Sequence, residues 1–246
     1  MQFGVNGWVW TSPVNTQAFE ELAPKVKKMG FDLFEFGIES TSDLDYARAA
    51  KVLTDNGLAV SVCAAMGPDR DLIHEDAGIR RSGMEYVAHC IDAAKTLGAK
   101  NVVGPLYSAV GRTWQATADE RAAYTDLLVE QLTALSAHAA DHGVVLGVEP
   151  LNRFETSVLN LTADAIAIVD RVSGGDIRWA DYSLTPRPRR LHTVHQIKRE
   201  ALRRPNTPVL VKCAGHTAAL DGICATSGGH AYMVTDAAHL AGSIGG

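Results

Sequence analysis

The chain has 246 residues, 46% of them hydrophobic and 21% charged, with a formal net charge of -5 and a pI near 6.0. That composition excludes a disordered or fibrous chain and suffices for one large domain or two small ones. The acidic balance argues against general nucleic-acid affinity, which needs a basic surface to displace counterions, and no apolar run approaches the ~20 residues of a membrane-spanning helix. Cys63, Cys90, Cys213 and Cys224 show no CxxC spacing, and Met1 leads straight into a strand-like stretch. A cytoplasmic protein acting on a small molecule, without nucleic-acid or membrane partners, is the expectation.

Residues 2–8, QFGVNGW, read as a short strand. In TQAFEELAPKVKKMG, the spacing of Phe19, Leu22, Val26 and Met29 predicts a helix that Gly30 stops. The unit then repeats. FDLFEFG precedes the helical TSDLDYARAAKVLTDNG, and LAVSVCAAMG precedes DAGIRRSGMEYVAHCIDAAKTLG. AKNVVGPL precedes TADERAAYTDLLVEQLTALSAHAADHG, and VVLGVEPL precedes TADAIAIVDRVSG. Ser42-Asp43 and Thr162 to Asp164 stand where helix N-caps belong, and Gly57, Gly98 and Gly143 where helix stops belong. Five βα units are legible by residue 173.

Such alternation implies a parallel sheet, either doubly wound or closed into a (β/α)8 TIM barrel. The first βα turn, NGWVWTSPVNT, has neither GxGxxG nor a P-loop pattern, which favours the barrel, a fold of about 250 residues. After residue 173 the pattern changes. Residues 1–180 carry a net charge of -9 and residues 181–246 one of +4. TPRPRRLHTVHQIKREALRRP is basic and bounded by proline, and a tail rich in Gly, Ala and Ser follows with one clear strand, TPVLVKCAG. The expected organisation is therefore βα units one to five over 1–173, an incomplete barrel pattern, and an atypical segment over 174–246.

Barrel chemistry sits at the C-terminal ends of strands. Trp8, Trp10, Glu35, Cys63, Tyr107, Trp114 and Glu149 are assigned there. Glu149 is either a structural ion-pair partner, with Arg153 as its mate, or a metal ligand or base. Asn152, Arg153 and Glu155 form either a solvated loop or a site for a polyhydroxylated ligand, with Trp8, Trp10 and Trp114 supplying apolar faces. Cys63 is a pocket-lining or core residue, and His74, His89, His138 and His142 read as surface or packing residues.

The stretches FGVNGWVWTSP, VCAAMGPDRDL, NVVGPLYSAVGRTW and VEPLNRFETSVLN resemble the ketose 3-epimerases of the sugar isomerase/epimerase superfamily, the D-tagatose and D-allulose (psicose) 3-epimerase-like enzymes, over residues 1–172. The resemblance implies a (β/α)8 barrel that epimerises a free ketose by proton abstraction at carbon 3 through an enediolate. It also implies one divalent ion, Mn2+, Co2+ or Mg2+, held by Glu, Asp, His and Glu from four strands, and assembly into dimers or tetramers. On this likeness Glu149 is a metal ligand and catalytic acid-base group, Glu155 contacts a substrate hydroxyl, and Trp114, Cys63, Leu106 and Trp10 line the substrate pocket.

The motifs that would bring the other three ligands are not legible in residues 174–246, where Glu200 is the only glutamate. Either a shift of reading frame near residues 172–176 or divergence accounts for this, and in the second case Asp181, His192, His195 or His216 are the substitute ligands. The alternatives are another barrel sugar isomerase, of the hydroxypyruvate isomerase or inosose dehydratase type, and a non-catalytic truncated product.

Overall fold

A computed structural model describes the backbone of residues 4–179, 181–184 and 211–213, and side chains over 4–178. The expectations placed on His192, His195, Glu200 and His216, and on most of the TPVLVKCAG stretch, lie outside the described residues.

Strand β1 (Gly4–Asn6) is shorter than residues 2–8 because the Asn6 side chain accepts the Trp8 N–H at 2.8 Å and turns Gly7–Val9 into a single 3-10 turn. Helix α1 (Thr16–Lys28) follows, then β2 (Leu33–Ile38), α2 (Tyr46–Asn56), β3 (Ala59–Ala64) and α3 (Ala77–Leu97). Strand β4 (Asn101–Gly104), α4 (Ala118–Asp141), β5 (Val145–Val148) and α5 (Thr162–Val169) complete the five expected units. A sixth strand, β6 (Ile177–Trp179), lies in a stretch that the apolar pattern does not mark. Two further strands, β7 (Asp181–Leu184) and β8 (Val211–Cys213), pair parallel in a separate two-stranded sheet.

All neighbours among β1 to β6 are parallel, and their spatial order is their chain order. A doubly wound sheet reverses its strand order at a switch point. Sequential order with right-handed crossovers instead places every helix on one side of the sheet, the arrangement that curls into a barrel. The helices pack in succession, α1 on α2 through to α4 on α5.

Alternation along the strands separates the two sides of the sheet. In β2, Phe34 and Phe36 face α1, where Phe19 meets their rings at 5.0 and 5.2 Å between centroids. Glu35 points the other way, into the barrel. Of the α1 stripe, Phe19, Leu22 and Val26 are buried as the helical spacing predicts.

The helix stops hold: Gly57 and Gly98 are left-handed C-caps. The starts differ in two places. Asp43 accepts the Ser40 N–H at 2.8 Å and so belongs to the preceding turn, leaving Asp45 to cap α2 by accepting the Arg48 N–H at 3.0 Å. Helix α5 is entered through Leu161, with no side-chain cap there, and Asp164 reaches back from the third helical position to accept the Leu161 N–H at 3.2 Å.

Candidate active site

The strand register arranges the barrel interior in layers. Asn6, Glu35, Ser61 and Asn101 occupy one row across β1 to β4. They are joined side chain to side chain. Asn6 Nδ2 donates to Glu35 Oε1 at 2.7 Å, Ser61 Oγ to Glu35 Oε2 at 3.1 Å, and Asn101 Nδ2 to Ser61 Oγ at 3.1 Å. Glu35 is thus a hydrogen-bonded interior residue in the middle of β2, not one at the strand's C-terminal end, which corrects its assignment to the mouth. Its carboxylate is tolerated in the interior because donors satisfy it.

The next layer toward the mouth is small: Gly37, Cys63, Val103 and Gly147 stand in register. A Cβ at Gly37 would fall 1.9 Å from Cζ2 of Trp8, so the indole fills that position itself. Its Nε1 donates to Glu39 Oε1 at 2.9 Å, and Ser12 Oγ donates to the same oxygen at 2.6 Å. Trp8 is therefore a wedge fixed in the mouth rather than a loose aromatic on an exposed loop.

Two residues beyond Gly147, with the same inward parity, comes Glu149, 7% exposed. Low side-chain volume beneath it leaves the carboxylate at the top of the barrel interior. Its amide donates to the Gly104 carbonyl at 2.9 Å, carrying the β4–β5 ladder one residue past the strand ends. Its own carbonyl accepts the Tyr107 hydroxyl at 2.9 Å, and Tyr107 Oη accepts the Leu151 N–H at 3.2 Å. Burial, then the Glu149 charge, pushes the Tyr107 phenol far above its ordinary range, so it stays a neutral donor. Tyr107 is a positioning residue for the β5 end.

The loops above β3, β4 and β5 are tied into a rim. Asp71 is fully buried and accepts from Ile73 N at 2.9 Å, Ala109 N at 3.0 Å and Arg112 Nη1 at 2.9 Å. The Arg112 guanidinium lies 4.5 Å above the Trp114 ring, and Trp114 N donates to Ser157 Oγ at 2.8 Å. Gly111 N donates to the Glu155 carbonyl at 2.7 Å. Neither Asp71 nor Arg112 stands out in sequence, since their partners are 38 and 41 positions away. Replacing Asp71 by Asn is expected to lower the unfolding free energy by about 2–3 kcal/mol, the scale of charge-assisted bonds lost at a buried carboxylate. Urea denaturation reads this directly, and a loss under about 1 kcal/mol would show that the rim does not depend on this knot.

Of the residues assigned to substrate, Glu155 receives a hydrogen bond from Asn152 Nδ2 at Oε2, which leaves Oε1 able to accept from a hydroxyl. Trp114 lines an open 380 Å³ groove with Arg121, Arg153, Thr156, Ser157 and Asn160. Arg153 is exposed there, its guanidinium 5.1 Å from the Phe154 ring. Cys63 and Leu106 are buried and Trp10 is half-buried, each near the C-terminal end of its strand. The structure thus groups Trp114 with the groove and places Cys63 one layer below Glu149.

Glu149 offers a hard oxygen of the kind that manganese or magnesium takes. Among the described residues, no three donor groups converge at the mouth. The described cluster of three, Asp92, His138 and His142, lies on α3 and α4 near the opposite end of the sheet. At the mouth the described residues thus offer Glu149 as one candidate ligand, and a metal there would need further ligands from beyond them.

Comparison with known proteins follows the same boundary. The family model for the xylose isomerase-like TIM barrel matches residues 23–177. The chain is 28% identical over 173 residues to a ketose 3-epimerase of Arthrobacter globiformis, covering 70% of this chain and 59% of that one. It is 29% identical over 177 residues to an L-ribulose 3-epimerase of Mesorhizobium japonicum, covering 72% and 58%. It thus spans less than two thirds of the length of these curated relatives. Among solved structures, a D-allulose 3-epimerase of Methylomonas sp. in complex with D-allulose superposes with a TM-score of 0.80 at 17% identity, over 96% of this chain and 83% of that one. Over half of the sequence matches the family model, and the layered interior and the strand order agree with it: the chain belongs to the xylose isomerase-like TIM-barrel family.

Proposed function

We propose that the chain is a metal-dependent ketose 3-epimerase acting on a free ketose such as D-tagatose, D-fructose or D-allulose. The observation that carries this reading is Glu149, a carboxylate of inward parity at the end of β5, anchored through its own backbone to Gly104 and Tyr107. The similarity to proteins named ketose 3-epimerase and L-ribulose 3-epimerase supports it.

In this reading Glu149 takes the proton from carbon 3 of the sugar, giving a planar enediolate, and a second acid returns a proton on the other face. Glu149 is also the described residue that would hold the divalent ion, Mn2+, Co2+ or Mg2+. When bound, that ion polarises the carbonyl at carbon 2 and makes the carbon 3 hydrogen acidic enough for a carboxylate to remove. Glu155 accepts a sugar hydroxyl at Oε1, while Asn152 fixes its other oxygen. Trp114, Cys63, Leu106 and Trp10 shape the pocket, and the Trp8 indole packs over Gly37 on the β1–β2 side of the mouth.

The test is exchange of the carbon 3 hydrogen with solvent deuterium, followed by NMR on the full chain with Mn2+ and a panel of ketohexoses and ketopentoses. Deuterium at carbon 3 of at least one ketose is the expected result. Exchange confined to carbon 1 of ketoses would place the chain with aldose–ketose isomerases, and no exchange on any member would overturn the reading.

A further inference from the structure

We propose that Asp92, His138 and His142 form a second metal site, for a zinc-type transition-metal ion, clipping α3 to α4 at the end of the barrel remote from Glu149. The three ligand atoms lie within 4.8 Å of one another. Asp92 Oδ1 is 2.9 Å from His138 Nε2 and 3.3 Å from His142 Nε2. Donors at the corners of a tetrahedron, with zinc–nitrogen bonds of about 2.0–2.1 Å, stand about 3.3 Å apart. The two separations from Asp92 lie within a few tenths of an ångström of that edge, and the two imidazole nitrogens stand within 4.8 Å of each other.

Two further features point to a cation. His142 Nδ1 lies 2.9 Å from the His138 backbone carbonyl, an oxygen that can only accept. In the tautomer that donates from Nδ1 to this carbonyl, Nε2 is an acceptor facing the cluster, the orientation of ligating histidines in metal sites, whereas His138 Nε2, which donates to Asp92, gives up its proton when an ion binds. In addition, His138 stands in the last turn of α4 and His142 is its C-cap, where the negative end of the helix dipole favours positive charge. The spacing of the two histidines, four positions on one helix, puts both rings on one face, with centroids 4.3 Å apart. All three side chains are partly exposed, which gives an ion access and leaves a fourth position for water.

An imidazole-rich set favours zinc, nickel or copper over the magnesium and manganese suited to carboxylate sites. The site is thus chemically distinct from the one at the mouth. A bound ion would cross-link two helices whose ligands come from separate βα units, and would stabilise the folded chain by mass action.

Calorimetric titration of the untagged full chain with Zn2+ tests this, alongside the variants His138→Gln, His142→Gln and Glu149→Gln. The expected result is that each histidine variant loses one equivalent of zinc, or weakens it by more than about tenfold, relative to the parent. Glu149→Gln should retain that equivalent. In thermal unfolding, free zinc at about ten times Kd should raise the midpoint by about 3–5 °C in the parent and in Glu149→Gln, but not in the histidine variants. Zinc stoichiometry and thermal response identical in the parent and both histidine variants would overturn the proposal. So would loss of the equivalent in Glu149→Gln alone. Circular dichroism of these surface variants confirms that each remains folded.

Discussion

Replacing Glu149 by glutamine is expected to lower kcat for ketose epimerisation by about 10²–10⁴-fold, the usual contribution of a positioned proton-transfer group. Glutamine keeps the size and one oxygen of the side chain but cannot take a proton from carbon 3. The backbone links that hold position 149, its amide to Gly104 and its carbonyl to Tyr107, do not involve the side chain. Those links should hold the β5 end in place in the variant, and circular dichroism checks that it is folded. Deuterium incorporation at carbon 3 should fall in parallel with turnover, which separates lost proton transfer from slowed product release. A decrease below about tenfold in both would remove Glu149 from the proton-transfer role.

Gly104→Ala is expected to be the most destabilising single methyl in the described barrel, at about 4 kcal/mol or more. Gly104 ends β4 with φ +143°, a conformation that L side chains rarely adopt, and a Cβ there would stand 2.0 Å from the Ala64 carbonyl oxygen. That atom is backbone in the neighbouring strand β3, so no rotamer change relieves the clash. Relief requires β3 and β4 to separate at the mouth, where the Gly104 carbonyl also accepts the amides of Leu106 and Glu149. Activity should fall along with stability, because the displaced carbonyl anchors the proposed catalytic residue. Chemical denaturation measures the first effect. A loss of less than about 1 kcal/mol would mean that the close approach of β3 and β4 at this point is not retained in solution.

The chain's own pattern was sufficient for the five βα units, for the stops at Gly57 and Gly98, and for the placement of Glu149 at a strand end. Each of these depends on local physics: hydrophobic period, the positive φ open to glycine, and the length of a strand. Local pattern was weaker at the helix starts. Several residues near α2 could cap it, and the choice of Asp45 over Asp43 depends on which of them a neighbouring turn has already engaged. It failed at β6, whose three residues are too few to show a period and which is a strand only because β5 presents an edge to pair with.

Tertiary structure alone decided the partners of charged and polar side chains. Glu35 looked like a mouth residue because it lies in an apolar strand, yet register sets it beside Asn6 and Ser61, 29 and 26 positions away. Trp8 is assigned to the end of the first strand as an apolar face, and only the bare backbone at Gly37 reveals it as a wedge. His138 and His142 read as surface or packing residues, and only the packing of α3 on α4 sets Asp92 beside them, 46 and 50 positions upstream. Periodicity reports which face of an element is buried, but it carries no information on which distant element covers that face, because that is settled by strand register and helix packing across the whole barrel.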